Sequence, residues 1–281
     1  MAEKELKVKP KKLKILFISQ EISPFTSDSE IGSVSRNLSQ AVQELGREIR
    51  IMMPRFGLIS ERSHHLHEVF RLSNTYLTIN DDDKPLLLRV APLQASKMQI
   101  YFIYNEELFK RKHIFRDEDK TFYKDNDERM IFFCRGVLET VKQLNWSPDI
   151  IHCHGWMTSL VPLLIKTTYK KDPLFSTSKV IYTLYNDDFT ESLDKDYQKK
   201  LTLDGIAKSE MKELEKPTFE SITKNAISKS DGVIIGSADI NPMILDYLKT
   251  HNIPVLQHQP SETFINETNN FYEGLSTTLV K

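Results

Sequence analysis

The sequence has little of what marks several specialised protein classes. Its two cysteines, Cys134 and Cys153, are too few for a disulfide framework and lack the spacing of a structural zinc site. Glycine is scarce, with 9 in 281 residues against an average usage of about 7%. No G-x-G-x-x-G motif follows the first apolar segment, which argues against an unrelated dinucleotide-binding protein.

Charge of one sign and long hydrophobic runs are also missing. Because 38 Lys and Arg balance 39 Asp and Glu, no general field would concentrate nucleic acid or anionic membrane. The apolar segment at residues 13–19 is too short for a signal peptide core. The Lys-rich residues 1–12 before it contain Glu3 and Glu5, which favours a flexible, solvated tail. We therefore expect a cytoplasmic protein that binds neither nucleic acid nor membrane.

Apolar segments alternate with helical patterns along most of the chain. Residues 13–19 form a nearly continuous apolar run, typical of a strand buried on both faces of a parallel sheet. Further strands are predicted at residues 48–53, 69–79, 86–90, 98–103, 149–153, 179–185, 232–235 and 253–256, and helices at 33–45, 128–144, 156–169, 196–214, 218–229 and 241–250. This alternation predicts an α/β fold, a doubly wound Rossmann-like parallel sheet at residues 13–260 followed by a C-terminal extension at 261–281.

Two histidines, His152 and His154, lie at the carboxyl end of a predicted strand, where ligands bind in open α/β sheets. Side chains alternate along a strand, so the two imidazoles share a direction if the strand persists, although Gly155 indicates a turn. For His152 a buried, hydrogen-bonded imidazole is an equal alternative, whereas a site role is favoured for His154. A third metal ligand is not evident, so we expect no metal and no cofactor.

Other candidate groups have simpler explanations. His64, His65 and His67 lack further ligands at suitable spacing and are expected in a solvated loop. Five aromatic residues are possible sugar-stacking groups, but a core position is favoured for each: Tyr101, Tyr104, Phe122, Tyr123 and Trp156.

Several segments, in order, resemble the bacterial glycogen synthases and plant starch synthases of glycosyltransferase family 5. Residues 149–158 match the family pattern Asp, two hydrophobic residues, His-x-His-Asp-Trp-x-Thr, except that Gly155 replaces the second Asp. Further similar segments are residues 21–25 (Glu-Val-Ala-Pro-Tyr/Phe in the family), 53–57 (Met-Pro-x-Tyr-Gly), 125–135 (Asp-Asn-x-Glu-Arg, then Phe and a final Arg), 182–186 (ending Thr-x-His-Asn) and 230–237 (the end of the first domain). The resemblance covers most of residues 13–240.

The resemblance implies a GT-B glycosyltransferase, of which this chain would be the N-terminal half. In the family, the first domain contacts glucan, the second holds ADP-glucose, and the product is α-1,4-glucan. The resemblance implies catalytic roles for Asp125 and for His154, whose backbone carbonyl would lie near the anomeric carbon. For Asp125, a helix N-cap ahead of Glu128 is an equal alternative. Substrate-binding positions carried over from the family are Glu21, Trp156, Tyr185 and Asn186.

One loop departs from the family. Where the family has Lys-x-Gly-Gly-Leu-(Gly/Ala)-Asp-Val, residues 27–34 have lost the lysine and both glycines, now Ser27, Ser29 and Glu30. Negative charge at Asp28 and Glu30 opposes a diphosphate, so we expect ADP-glucose to bind weakly or through a partner chain.

The residues after 240 are also too few for a second Rossmann domain. The chain alone is therefore expected to be inactive, and a protein supplying the donor domain is its expected partner besides the α-glucan acceptor. The alternative is a catalytically degenerate glucan-binding or regulatory module of glycogen metabolism.

Overall fold

The computed structural model describes residues 12–73, 75–93, 96, 98–203 and 205–277. Nearly all of the predicted tail, and the last four residues of the predicted extension, lie outside these ranges. None of the helices in the described ranges has the length and apolar character needed to span a bilayer.

The described residues form one sheet of ten strands with helices on both faces. The strands are β1 (Lys14–Ser19), β2 (Glu48–Pro54), β3 (His67–Glu68), β4 (Thr75–Ile79), β5 (Asp82–Pro92), β6 (Gln99–Tyr104), β7 (Ile150–His154), β8 (Lys179–Leu184), β9 (Gly232–Ile235) and β10 (Val255–Leu256). The α-helices are α1 (Glu30–Glu44), α2 (Glu106–Phe109), α3 (Asn126–Gln143), α4 (Leu160–Lys166), α5 (Tyr197–Leu203), α6 (Phe219–Lys229), α7 (Pro242–Lys249) and α8 (Ser261–Thr277), and short 3-10 helices span Phe70–Leu72, Trp156–Thr158 and Lys208–Glu215.

The strand order is β10-β9-β8-β7-β1-β2-β6-β5-β3, with β4 paired to β5. The seven strands from β10 to β6 are parallel, whereas β5 runs antiparallel to β6, β3 and β4. The chain leaves β1 toward β2 on one side and later returns to β7 on the other. The gap between the ends of β1 and β7 is therefore the topological switch point, and the predicted doubly wound α/β fold is confirmed.

Residues 15–18 of β1 are fully buried because helices cover both faces of the sheet. Neighbouring residues of β8 show which helices cover which face, since adjacent side chains point in opposite directions. The side chain of Tyr182 reaches Thr223 of α6. Thr183 bonds instead to His152, whose other ring nitrogen contacts Tyr272 of α8. Thus α6 and α8 lie on opposite faces.

Helix α8 was not predicted as a helix. Its inward residues follow a helical spacing at Phe264, Thr268, Tyr272 and Leu275, and the side chains of Thr268 and Tyr272 are fully inaccessible. The helix packs against α1 and β10. The C-terminal segment thereby contributes to the core of the fold.

Three predicted elements are divided in the structure. The segment predicted as one helix from residue 156 begins with the 3-10 turn Trp156–Thr158 and continues as α4. The helix predicted at residues 196–214 is interrupted near Gly205, whose φ is +81°, a conformation that favours glycine. The predicted strand at residues 69–79 comprises the 3-10 turn Phe70–Leu72 and β4.

Candidate functional site

The candidate site lies at the carboxyl edge, defined here as the ends of β1, β7, β8 and β9 and the residues that come directly after them. Strand register aligns Ser19 of β1 with His154 of β7, and His154 with Thr183 of β8. Glu21, His154 and Asn186 are consequently brought to the same edge, at and beside the topological switch point.

His152 and His154 form a buried pair on one face of β7, with ring centroids 3.9 Å apart. His152 Nδ1 lies 2.7 Å from the hydroxyl of Tyr272, and Nε2 lies 2.6 Å from that of Thr183. Both ring nitrogens are therefore hydrogen-bonded. Burial lowers the pKa of His152 well below its usual value, so the ring is neutral. His152 is thus a buried, hydrogen-bonded imidazole, which was the alternative to a site role for this residue.

His154 is also fully buried, with Nδ1 2.8 Å from the hydroxyl of Tyr185. Within the described residues its Nε2 has no hydrogen-bond partner. Burial lowers the pKa of His154 to about 3, so the imidazole cannot serve as a general acid near neutral pH. Its backbone carbonyl accepts a hydrogen bond from Gln20 N at 3.1 Å and retains a second lone pair.

Gly155 follows directly, with a φ of +85°. A Cβ atom at this position would lie 2.3 Å from the Cδ of Gln20, so the Gln20 side chain fills the space that a residue other than glycine needs. Gln20 Oε1 accepts from the backbone N–H of Met157 at 3.2 Å, and Gln20 Nε2 donates to Glu21 at 3.2 Å. A side chain at position 155, such as the family's Asp, would therefore require the Gln20 side chain to move.

Asp187 supplies a carboxylate to the same turn, and sequence reasoning missed it. Its Oδ2 accepts from the backbone N–H of Trp156 at 2.9 Å. Burial raises the pKa of Asp187 to about 7, and the nearby charge of Glu21 adds to the shift. Burial also raises the pKa of Glu21, against the opposing effect of hydrogen bonds from Gln20 and Ser29. Two carboxyl groups with raised pKa values therefore flank the turn at residues 155–157.

The altered loop leads into α1, and one of its side chains caps the start of that helix. Ser29 is the N-cap, its Oγ accepting from Gly32 N at 3.0 Å. Glu30 stands in the first turn, where a negative charge is favoured by the helix dipole. Ser27 is exposed. Protein groups thus take the place that a bound anion has at many helix starts.

Ser237, just after β9, links this helix start to the loop after β8. Its hydroxyl lies 2.5 Å from Glu30 Oε2 and accepts from Asn186 N at 3.1 Å. The side chain of Asn186 is exposed at the carboxyl edge. Among the predicted substrate-binding residues, Asn186 is therefore accessible, whereas Tyr185 is buried against His154.

Asp125 precedes α3, but its side chain makes no capping hydrogen bond. The carboxylate instead forms a bidentate ion pair with Arg111, at 2.7 and 2.5 Å. Gly57 helps to place Arg111, because a Cβ at Gly57 would lie 2.3 Å from the Arg111 carbonyl oxygen. Asp125 is thus an acceptor fixed by Arg111.

Trp156 is 2% exposed and packs in an aromatic cluster. Its ring centroid lies 4.7 Å from Phe115, 5.1 Å from Phe189 and 6.1 Å from Phe122. Packing therefore accounts for this side chain better than sugar stacking. The other three aromatic candidates lie beside arginines: Tyr101 near Arg50, Tyr104 near Arg55 and Arg89, and Tyr123 near Arg111 and Arg129.

Over the described ranges, no group of three or more His, Cys, Asp or Glu residues has a geometry suited to a metal ion. In the cluster of histidines at residues 64–67, His64 packs against Phe25 with ring centroids 4.9 Å apart.

Comparison with known proteins places these features in context. The profile of the starch synthase catalytic domain family matches residues 14–253. Glycogen synthases of Chlorobium limicola and Chlorobaculum tepidum are each 44% identical over 174 residues, covering 62% of this chain and 36% of each relative. The match thus spans about a third of the length of these curated relatives.

Among solved structures, the catalytic domain of Starch Synthase IV from Arabidopsis thaliana, bound to ADP and acarbose, has a TM-score of 0.70 at 18% identity. It covers 88% of this chain and 51% of that one, and supports the assignment of the GT-B half fold.

Proposed function

Because the chain belongs to the starch synthase catalytic domain family, we propose that it is the glucan-contacting domain of an enzyme that builds α-1,4-glucan from ADP-glucose. The observation that carries this proposal is the position of Glu21 and His154. Glu21 follows β1 two residues after Ser19, which pairs with His154 at the end of β7. Both thus lie at the switch point where ligands bind in this class of sheet.

The accessible polar groups at this edge suit sugar hydroxyls. Asn186 is exposed, and Glu21 and Asp187 are partly buried carboxyl groups that accept hydrogen bonds. His154 would act through its backbone carbonyl, whose dipole would stabilise positive charge at the anomeric carbon of the donor sugar. Its neutral ring would hold the end of β7 in place through Tyr185.

ADP-glucose would bind weakly to these residues alone. Ser29 already caps α1, and Glu30 adds a negative charge at the helix start. A diphosphate there would displace these groups and meet electrostatic repulsion. The diphosphate would therefore be held by residues outside these 281 or by another chain.

Glucosyl transfer tests the proposal. The purified chain is incubated with radiolabelled ADP-glucose and glycogen, with and without an extract of the source cells. We expect label in glycogen only with the extract, and above the extract's own background. Glu21→Gln should reduce the added incorporation about tenfold or more through loss of a charged acceptor. Glu44→Gln, at an exposed position far along α1, is the control. No added incorporation in either mixture contradicts the proposal.

A second candidate function is a degenerate module that binds glucan or regulates a complete synthase. The occupied helix start at Ser29 and Glu30 favours it. Co-sedimentation with glycogen separates the two. Retention without any incorporation of label supports the module, and absence of both retention and incorporation contradicts both functions.

A further inference from the structure

A cavity of about 350 Å³ lies between α1 and the first half of α8, beside the end of β9. On α1 its wall includes Glu30, Val34 and Asn37, one helical turn apart. On α8 its wall includes Phe264 and Ile265. The volume is at the lower end of the range for ligand pockets, about 300–1,000 Å³, and suits a ligand about the size of one ring.

The cavity exists because α8 packs closely against the fold only in its second half. In its second half, Thr268 and Tyr272 are fully buried and Leu275 is 8% exposed. In its first half, Phe264 and Ile265 are only partly buried. The helix thus packs closely where Tyr272 contacts His152 and leaves a space farther toward its N-terminus.

Two hydrogen-bond acceptors stand in the lining. Glu30 uses Oε2 to bind Ser237, and its Oε1 makes no hydrogen bond to the described residues. His258 Nδ1 lies 3.1 Å from the carbonyl oxygen of Gly236, so Nδ1 carries the proton of that bond. In the neutral ring Nε2 is then an acceptor. The carboxylate disfavours a phosphate ligand and favours one rich in hydroxyl donors.

We propose that this cavity binds one pyranose ring of an α-glucan, with hydroxyls donating to Glu30 and His258 and an apolar ring face against Phe264. The choice of sugar depends on the proposed function, whereas the cavity has a lining of its own that includes neither Glu21 nor Asn186. Glucan bound there would be held beside the carboxyl edge, at the helix start where the family pattern has its phosphate loop. The altered residue Glu30 would thus take part in sugar binding.

Methyl-labelled protein tests the site by NMR during titration with maltotriose. We expect saturable shifts at Val34, Leu38 and Ile265, which line the cavity. Ile22, next to Glu21, reports on the carboxyl edge. Shifts at Ile22 without shifts at the cavity methyls would overturn the cavity site and leave the proposed function standing. Shifts only at the cavity methyls would support the site and count against glucan binding at Glu21. No shift anywhere overturns the cavity site, and glycogen co-sedimentation then decides the proposed function.

Matched variants sharpen the test. Asn37→Trp should fill the cavity and weaken maltotriose binding at the cavity methyls at least about tenfold. Glu44→Trp, two turns farther along α1 and outside the lining, should leave binding unchanged. Glu30→Gln keeps the size and removes the charge, and should weaken binding about tenfold because hydrogen bonds to charged acceptors are the stronger class. Equal affinities in all three variants, with native circular dichroism, would overturn the proposal.

Discussion

The buried histidine pair and the start of α1 lie on the same edge of the sheet but satisfy their polar groups differently. His152 and His154 are enclosed, and three of their four ring nitrogens are bound by the hydroxyls of Tyr272, Thr183 and Tyr185. The start of α1 is at the surface, where Ser29 Oγ accepts from Gly32 N and Glu30 adds a negative charge to the first turn. The histidine pair is therefore a structural part of the edge, whereas the start of α1 is the part that has been altered, at the place where an anion would bind.

The largest expected effect concerns the enclosed region. Tyr272→Ala removes a fully buried aromatic ring and the hydroxyl that binds His152, and should lower the free energy of unfolding by about 3–5 kcal/mol. Tyr272→Phe should cost about 1–3 kcal/mol, since only the hydrogen bond is lost. Urea denaturation measures both. Tyr76→Ala, at a side chain that is 66% exposed, is the control and should change stability by about 0.5 kcal/mol or less. A cost that small for Tyr272→Ala would show that α8 is not part of the core.

The next effect is a pH dependence. His154 has its native pKa lowered to about 3, whereas the unfolded chain binds a proton near pH 6.5. Its contribution to stability is therefore present above pH 6.5 and is lost as the pH falls. The loss should reach about 2 kcal/mol at pH 5 relative to pH 7.5. In His154→Gln the difference in the free energy of unfolding between the two pH values should shrink by that amount. His113→Gln, at an exposed position, should leave this difference unchanged. Identical differences in both variants would mean that His154 is not enclosed.

Asp187, which lies between the two regions, should give a pH dependence of stability with the opposite sign to that of His154. Its native pKa is raised to about 7, so the folded state binds the proton more tightly and stability falls as the pH rises from about 4 to 7. Asp187→Asn keeps an oxygen for Trp156 N and removes the charge. Because the side chain is only partly buried, solvent screening reduces the effect of its charge. We expect Asp187→Asn to raise the free energy of unfolding by about 1–2 kcal/mol at pH 8 and by little at pH 4. Chemical denaturation at the two pH values measures the gain, and the exposed neighbour Asp188→Asn should show none.

The smallest effect belongs to the start of α1. Ser29→Ala removes the N-cap and should cost about 1 kcal/mol, whereas Ser29→Gly should cost only a few tenths. Thermal unfolding of the two variants and of Ser27→Ala, at an exposed position, measures the difference. Equal stability of Ser29→Ala and Ser27→Ala would show that Ser29 does not cap the helix.

The sheet was predictable because residues of strands buried on both faces are almost uniformly apolar, as in β1 and β8. Helix α8 was not predicted, although Phe264, Tyr272 and Leu275 carry a helical stripe, because Thr268 and Asn269 interrupt it. The fit between Gln20 and Gly155 depends on a contact across more than one hundred residues. Local patterns carry no information on such contacts.

Some features of the candidate site were likewise predictable from local sequence, whereas others required the fold. His154 was predicted as a site residue from its place at a strand end and from the family pattern. The bond between Glu30 and Ser237 joins positions 207 residues apart and required the fold. Asp187 gave no pattern, because it acts on the backbone of Trp156 from a neighbouring loop.

The protein's own groups occupy the start of α1, where a diphosphate would bind. Calorimetric titration of the chain with ADP-glucose tests it most directly, alongside a variant carrying Ser27→Lys, Ser29→Gly and Glu30→Gly. We expect no saturable binding at micromolar concentration by the unmodified chain and measurable binding by the variant. Micromolar binding by the unmodified chain would contradict the account.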